Sequence, residues 1–217
     1  MNLLGLEVER IQHACFKITG AGKVVYIDPY KLPEGSPKAD VVLITHEHDD
    51  HLSIPDLEKI LQESTVVVIA PITHPSLLDY PKDIFYLVVM GLNEKYFGEG
   101  FTVETIPSYN LDKFRSPGEL YHPKGDERVG FVLTLAGVRV YHAGDTDLIP
   151  ELSSLEKIDI ALLPVSGTFV MTPEEAAQAV DIIKPKVAVP MHWGDIIGTR
   201  KDADKFQELS KSHVEIL

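Results

Sequence analysis

The stretch Val41–Ser53, VVLITHEHDDHLS, constrains this chain more than any other. Val41 to Ile44 are four apolar residues in a row, mostly β-branched. A run this short and this apolar reads as a buried strand. Thr45 ends it, and His46, His48, Asp50 and His51 follow within six residues. His46 and His48 are two apart, so in an extended loop they point the same way and can chelate one ion. Asp50 and His51 are adjacent and diverge, which suits a second ion beside the first. Imidazole and carboxylate donors suit zinc, and also manganese or iron. The plainer reading is a solvated, acidic, histidine-rich turn, and the buried strand directly before the cluster argues against it. The loop leaving such a strand is where open α/β sheets carry their chemistry.

Composition narrows the class. The 217 residues are enough for one domain, 1–217, with a sizeable core. The hydrophobic and charged shares, 44% and 24%, are those of a soluble globular protein. A net charge of −13 argues against a chain whose main task is to hold nucleic acid by its phosphates. It leaves room for a small anionic substrate, because bound dications reverse the local field. The single cysteine, Cys15, excludes an internal disulfide and sits in an apolar run as a core residue. MNLLGLEVER has no basic region followed by a long apolar run, and no apolar stretch approaches eighteen residues. Neither a secretory leader nor a membrane span is therefore expected, and a cytoplasmic location is the default.

Along the chain, Leu6–Ile11, Cys15–Thr19 and Val24–Ile27 read as a β-meander closed by Asp28-Pro29. Ser53 caps a helix containing Pro55–Gln62, with Asp56 at capping-box spacing. Val66–Ala70 is a buried strand, a short helix falls within 71–80, and Ile84–Val89 is a further strand. Gly91–Gly100 reads as a turn region before the alternating strand Phe101–Ile106. Pro107 to Arg128 is the longest irregular stretch and is expected to overhang the ligand loop. Val129–Leu135 and Val138–Tyr141 form a hairpin, and Ile158–Val165 is another buried strand. Thr172-Pro173-Glu174-Glu175 starts a helix that runs to about Ile183. Val187–Val189, a helix over Asp202–Ser210 and a short strand end the chain. Strands first and βα units after, twice over, suggest an α/β protein of two packed sheets with helices outside.

Three buried strands end in candidate ligands: Ile44 before His46, Val140 before His142 and Asp145, and Val189 before His192. T-H-E-H-D-D-H matches the T/S-H-x-H-x-D-H signature of the metallo-β-lactamase superfamily. Y-H-A-G-D-T resembles that superfamily's fourth motif, and P-M-H-W its fifth. The resemblance covers nearly the whole chain. It implies a four-layer αββα sandwich, Asp145 bridging two ions, His192 on the second ion, and His46, His48, Asp50 and His51 as further ligands. It also implies that Asp28 is structural, that His13 lies near the site, and that His142 is structural or supports the ligands.

The third motif departs from the pattern. Asn110 stands where many relatives carry a histidine. Either Asn110 or water completes the first ion's ligands, or His122 arrives from the long loop to bind metal or substrate. The departure favours a harder metal such as manganese more than an all-histidine site would. The TPEEA helix followed by VPMHW is similar to a prokaryotic branch that includes ascorbate-phosphate lactonase-like and uncharacterised hydrolases. It also resembles phospholipase D-type members that cleave N-acyl-phosphatidylethanolamine.

The chemistry this implies is hydrolysis of a phosphodiester, lactone or other ester in a small substrate by a metal-bound hydroxide. One or two divalent ions are expected, zinc or manganese first, with iron or nickel admitted. Asp50 would bind the second ion and orient the hydroxide or shuttle its proton. Lys124 or Arg128 would hold a substrate phosphate or carboxylate. Two other readings stay open: a non-catalytic metal-binding or sensing protein, and a nuclease, which the charge opposes. Relatives are often oligomeric, so a homo-oligomer is admitted, although no interface signature is visible.

Overall fold

The computed structural model describes residues 1–78, 84 and 86–217. Two seven-stranded sheets carry the fold. The first takes its strands in chain order: β1 (Asn2–Leu3), β2 (Leu6–Gln12), β3 (Cys15–Gly20), β4 (Lys23–Ile27), β5 (Val41–Ile44), β6 (Val66–Ile69) and β7 (Tyr86–Val89). Pairing is antiparallel from β1 to β4 and parallel from β4 to β7.

The second sheet contains β8 (Lys95–Gly98) and β9 (Phe101–Pro107). A two-stranded hairpin of β10 (Phe114–Ser116) and β11 (Glu119–Leu120) stands apart. Then come β12 (Val129–Leu135), β13 (Val138–His142), β14 (Ile160–Pro164), β15 (Val187–Met191) and β16 (His213–Val214), in the order β16-β15-β14-β13-β12-β9-β8. Its pairing is antiparallel from β8 to β13 and parallel from β13 to β16. Each half is thus a meander followed by parallel strands, and each sheet has one antiparallel-to-parallel switch.

The apolar pattern decides the layering. Alternating side chains of β2 and β3 (Leu6, Val8, Phe16, Ile18) and of β9 and β12 (Val103, Phe131, Leu133) enter one shared core between the sheets. The opposite face of the first sheet, with Val42, Ile44, Val67 and Ile69, is covered by Leu57 and Ile60 of α1 (Ile54–Ile60) and by Leu77 of α2 (His74–Leu78). The outer face of the second sheet is covered by α3 (Pro173–Ile183) and α4 (Arg200–Leu209) through Ala176, Val180 and Phe206. The layers are therefore αββα. No helix among the described residues is long and apolar enough to cross a membrane.

Several boundaries depart from the sequence reading for physical reasons. The Gly91–Gly100 region is not all turn: it contains β8, an edge strand with no fully buried position to announce it. The long stretch after β9 holds the β10–β11 hairpin and a single 3-10 turn, Lys124–Asp126. Ser53 caps α1, but Asp56 does not complete a reciprocal capping box. Its carboxylate instead accepts from Lys31 N (2.6 Å), Leu32 N (3.0 Å) and Lys59 Nζ (3.0 Å). By contrast Thr172 and Glu175 do form the reciprocal pair that starts α3. The helix expected within 71–80 is observed as a 3-10 turn, Pro71–Thr73, running into α2; residues 79–80 lie outside the described residues. The same holds for Phe85 of the expected strand Ile84–Val89, of which Tyr86–Val89 is observed.

Candidate active site

The parallel strands all point their C-terminal ends to one rim, and the polar residues that follow β5, β13 and β15 meet there. Leaving β5, His46, His48 and His51 turn inward, with a backbone turn from His51 N to His48 O (2.8 Å). After β13 the chain must bend sharply to aim Asp145 at the same point. It does so at Gly144, with φ of +62° and so little room that an added Cβ would meet Val129 O at 3.0 Å. After β15, His192 follows at once, with φ of +59°. Its N–H donates to His13 O across the gap between the sheets (3.0 Å). His13, between β2 and β3, also has a left-handed backbone, φ +51°, as does Asp28, φ +50°. Three non-glycine residues in that costly region around one point are held there by their surroundings.

Two pockets of donors result. His46, His48 and His122 each present an atom within 4.8 Å of the others, and so do His13, Asp50, His51 and His192. Asp145 lies between the pockets. Its Oδ2 is 3.5 Å from His122 Nε2 and 3.2 Å from His192 Nε2, and its Oδ1 is 3.3 Å from His51 Nε2. Among the described residues, buried donors with no hydrogen-bond partner include His51 Nε2, His192 Nε2, His122 Nδ1, Asp145 Oδ1 and both nitrogens of His13. Several of these atoms lie within 3.5 Å of one another without the alignment of hydrogen bonds. Buried polar atoms are rarely left so, and each costs about 1–3 kcal/mol. Imidazole nitrogens flanking a carboxylate are the donor set that a divalent ion satisfies.

The far side of three of the rings is fixed. His51 Nδ1 is 2.7 Å from Asp28 Oδ2, and that carboxylate also accepts Thr45 N (2.8 Å) and Thr45 Oγ1 (2.7 Å). His46 Nδ1 meets Thr45 Oγ1 at 3.0 Å, and His192 Nδ1 meets Ser166 Oγ at 3.0 Å. In these three rings the outer partner leaves Nε2 for the centre, as such partners do for metal-binding histidines. Burial holds His46 well below its ordinary pKa and His122 down at about 4, so both are neutral and ready to ligate. Burial also lowers His13 and His48. Burial would lower His51 too, but Asp145 and Asp28 outweigh it and hold this ring well above its ordinary value. Burial works against the ionised forms of Asp145 and Asp50. His192 and His51 nevertheless keep Asp145 well below the usual range, and His13 and His51 bring Asp50 to about 2.

Of the residues singled out in the sequence, His46, His48, Asp50, His51, Asp145 and His192 are brought together. The others separate. His122 enters the cluster; Asn110 does not. Every polar atom of the Asn110 side chain is engaged. Oδ1 accepts His122 N (2.9 Å), and Nδ2 donates to Asp147 Oδ1 (3.1 Å) and Phe169 O (2.9 Å). Asn110 N in turn donates to His122 O (2.8 Å), so Asn110 is the clamp that brings His122 in. His13 is a donor within the cluster rather than a support behind it. His142 is the support: its Nε2 meets Ala14 O at 2.8 Å, and its Nδ1 accepts Gly144 N at 3.2 Å. Lys124 and Arg128 do not reach the cleft. Lys124 binds Glu151 (2.7 Å) and Tyr109 (3.3 Å). Arg128 is buried against Glu47 (2.6 Å), Asp126 (3.1 Å) and Tyr121 O (3.2 Å), from where it lowers the pKa of His48 further.

Sequence reasoning missed Arg10. Its guanidinium donates to His13 O (3.1 Å) and to Trp193 O, and lies 4.1 Å over the Trp193 ring. It therefore ties the turn carrying His13 to the residue after His192. Nothing in the pattern of β2 marks it. Asp147 was also missed. It accepts Leu111 N (2.6 Å) and Asp112 N (3.2 Å) and so anchors the loop that brings His122. The second acidic residue in Gly-Asp-Thr-Asp was its only signal.

Two packed mixed sheets, helices outside, and a histidine–aspartate cluster on the loops after the parallel strands define the metallo-β-lactamase architecture. The chain belongs to that superfamily: the family described as "Beta-lactamase superfamily domain" matches residues 7–192. Within it the chain is similar to a UPF0173 metal-dependent hydrolase of Caldivirga maquilingensis, at 31% identity over 94% of this chain and 90% of the relative. One from Methanoculleus marisnigri is 34% identical over 90% of this chain and 84% of the relative. A crystal structure described as a putative metal-dependent hydrolase from Parabacteroides distasonis superposes with a TM-score of 0.84. It is 30% identical and covers 97% of this chain and 92% of that one. The chain is a metal-dependent hydrolase of this superfamily.

Proposed function

We propose that the chain hydrolyses an ester bond, carboxylic or phosphoric, in a small substrate, using two divalent ions held between the sheets. The observation that carries this reading is the set of buried, unpartnered donors on two sides of Asp145. His46, His48 and His122 would hold one ion; His13, Asp50, His51 and His192 are the donors for the other, with Asp145 shared. The first pocket is all imidazole, which favours zinc; the second includes a carboxylate and admits manganese as well. Bound there, the ions would lower the pKa of water towards neutrality and polarise the scissile oxygen.

The chain's own residues do the rest. Asp28 and Thr45 fix the ring orientations and tautomers of His51 and His46, and Ser166 orients the ring of His192. Asp50 is the more exposed carboxylate of the cluster and faces the cleft, where it would orient the attacking water and pass on its proton.

The test is Asp145→Ala, assayed on a panel of chromogenic carboxylic esters and phosphodiesters. Loss of all turnover with the fold retained supports the reading. Full activity on every class refutes it.

A further inference from the structure

The next step rests on the hydrolase reading above and names the substrate class. The cleft over the donors is small, about 210 Å³. His48, Asp50, His122 and Asp145 supply its polar side, and Tyr121, Phe169 and Ile196 supply the rest. Tyr121 and Phe169 meet edge to face, ring centroids 4.7 Å apart, and so form a preformed aromatic wall. Ile196 stands at the rim with 51% of its surface exposed. A pocket of apolar walls with a few convergent polar groups is built to seat an apolar group beside a polar one.

What the cleft lacks is equally informative. Among the described residues, no lysine or arginine lines it. The cations next to the lining are committed elsewhere. Arg128 is paired with Glu47 and Asp126. Arg115 donates to Tyr121 O (3.2 Å) and pairs with Glu119. Lys31 is bound to both oxygens of Asp195, at 2.8 and 2.9 Å, beside Ile196. A negative charge on the part of the substrate remote from the ions would lose its water and gain no partner. It would also face the apolar wall.

We propose that the substrate is a small, uncharged carboxylic ester whose acyl group lies against Tyr121, Phe169 and Ile196. The reaction consumes one water. Its oxygen bonds to the acyl carbon as the acyl C–O bond breaks. One of its protons leaves with the alcohol, and the other is released to solvent from the carboxylic acid formed.

The test uses metal-loaded protein and four substrates: ethyl acetate, ethyl butyrate, monoethyl succinate and bis(p-nitrophenyl) phosphate. Acid release from the ethyl esters is followed by pH-stat. Monoethyl succinate is ethyl butyrate with its terminal methyl replaced by a carboxylate, so the pair isolates the charge. Each of the two added methylenes is worth roughly fourfold when buried, so kcat/KM should rise roughly fifteenfold from acetate to butyrate. It should fall at least tenfold from butyrate to monoethyl succinate. Ile196→Lys, at an exposed position that does not threaten folding, should weaken the butyrate reaction and narrow the gap to monoethyl succinate. A flat acyl-length profile, a preference for monoethyl succinate, or no response to Ile196→Lys overturns the inference. Turnover of the phosphodiester with all esters inert also overturns it, while leaving the hydrolase reading intact. If neither class is turned over by protein carrying its ions, both readings fall together.

Discussion

Replacing Asp28 by asparagine tests how far the metal centre depends on a residue that touches no metal. Asp28 is fully buried, and its two oxygens accept Thr45 N (2.8 Å) and Thr45 Oγ1 (2.7 Å). Oδ2 also lies 2.7 Å from His51 Nδ1. Because a carboxylate only accepts, Nδ1 carries the proton and Nε2 keeps its lone pair for the centre. In Asp28→Asn one oxygen becomes a donor. If the amide nitrogen faces His51, the ring must move its proton to Nε2 and lose the ligand atom. If it faces Thr45 N, two buried donors oppose each other.

Losing a partner of this kind typically costs 10–100-fold in metal affinity, or about 1.4–2.7 kcal/mol. The opposed donor costs about 1–3 kcal/mol of stability in the metal-free protein. For a chain of this size that lowers Tm by roughly 2–12 °C. Zinc affinity is read by competition with a chromogenic chelator, and Tm by thermal melts in excess chelator. Affinity within twofold of wild type, with Tm within about 1 °C, would refute the claim that Asp28 sets the His51 tautomer.

Three further outcomes follow from the same geometry. Asn110→Ala keeps His122 in the chain but removes the side-chain oxygen that accepts its N–H, so zinc affinity of the first pocket should fall roughly tenfold, less than in His122→Ala; equal losses would contradict the clamp. Arg10→Ala should weaken the pocket containing His13 and His192 by a similar factor and spare the other, and Arg10→Lys should not restore it, because one ammonium cannot span the His13 and Trp193 carbonyls; full rescue by lysine would refute this. In chelated protein, stability should peak near pH 6.5. Below it the unfolded chain takes up protons that His13, His46, His48, His122 and His142, with lowered pKa values, resist. Above it the contribution of His51, whose pKa is raised, is lost as the pH rises through that value. A Tm that climbs steadily to pH 9 would show that His51 is not held protonated.

The sequence made the strands before the ligands easy to read, because each is short, apolar and ends abruptly in polar residues. Val41–Ile44 and Val187–Val189 are buried throughout, and the donors after them have nowhere else to go but the rim. The choice between Asn110 and His122 stays open in the sequence for the opposite reason, because the place of His122 is set by distant contacts. That place depends on a backbone pairing with Asn110 twelve residues away, and on Asp147 fixing the loop between them. No local pattern records such contacts. The sequence puts His13 near the site but not among the donors, because that place rests on a left-handed backbone and on its carbonyl's bond to His192 N, far along the chain. Asp56 shows how a local signal misleads: its spacing suits a capping box, but the backbone of Lys31 and Leu32 captures its carboxylate first. The basic residues of the long loop look free in the sequence and are paired in the fold.

The central claim is a two-ion centre completed by His122. Its most direct test is metal content per chain, by elemental analysis of protein purified without chelator, for wild type, His122→Ala and Asn110→Ala. Near two ions are expected in the wild type, near one in His122→Ala and an intermediate value in Asn110→Ala. About one ion in all three would contradict it, since His122 would then hold no metal and the two pockets would not act as a pair.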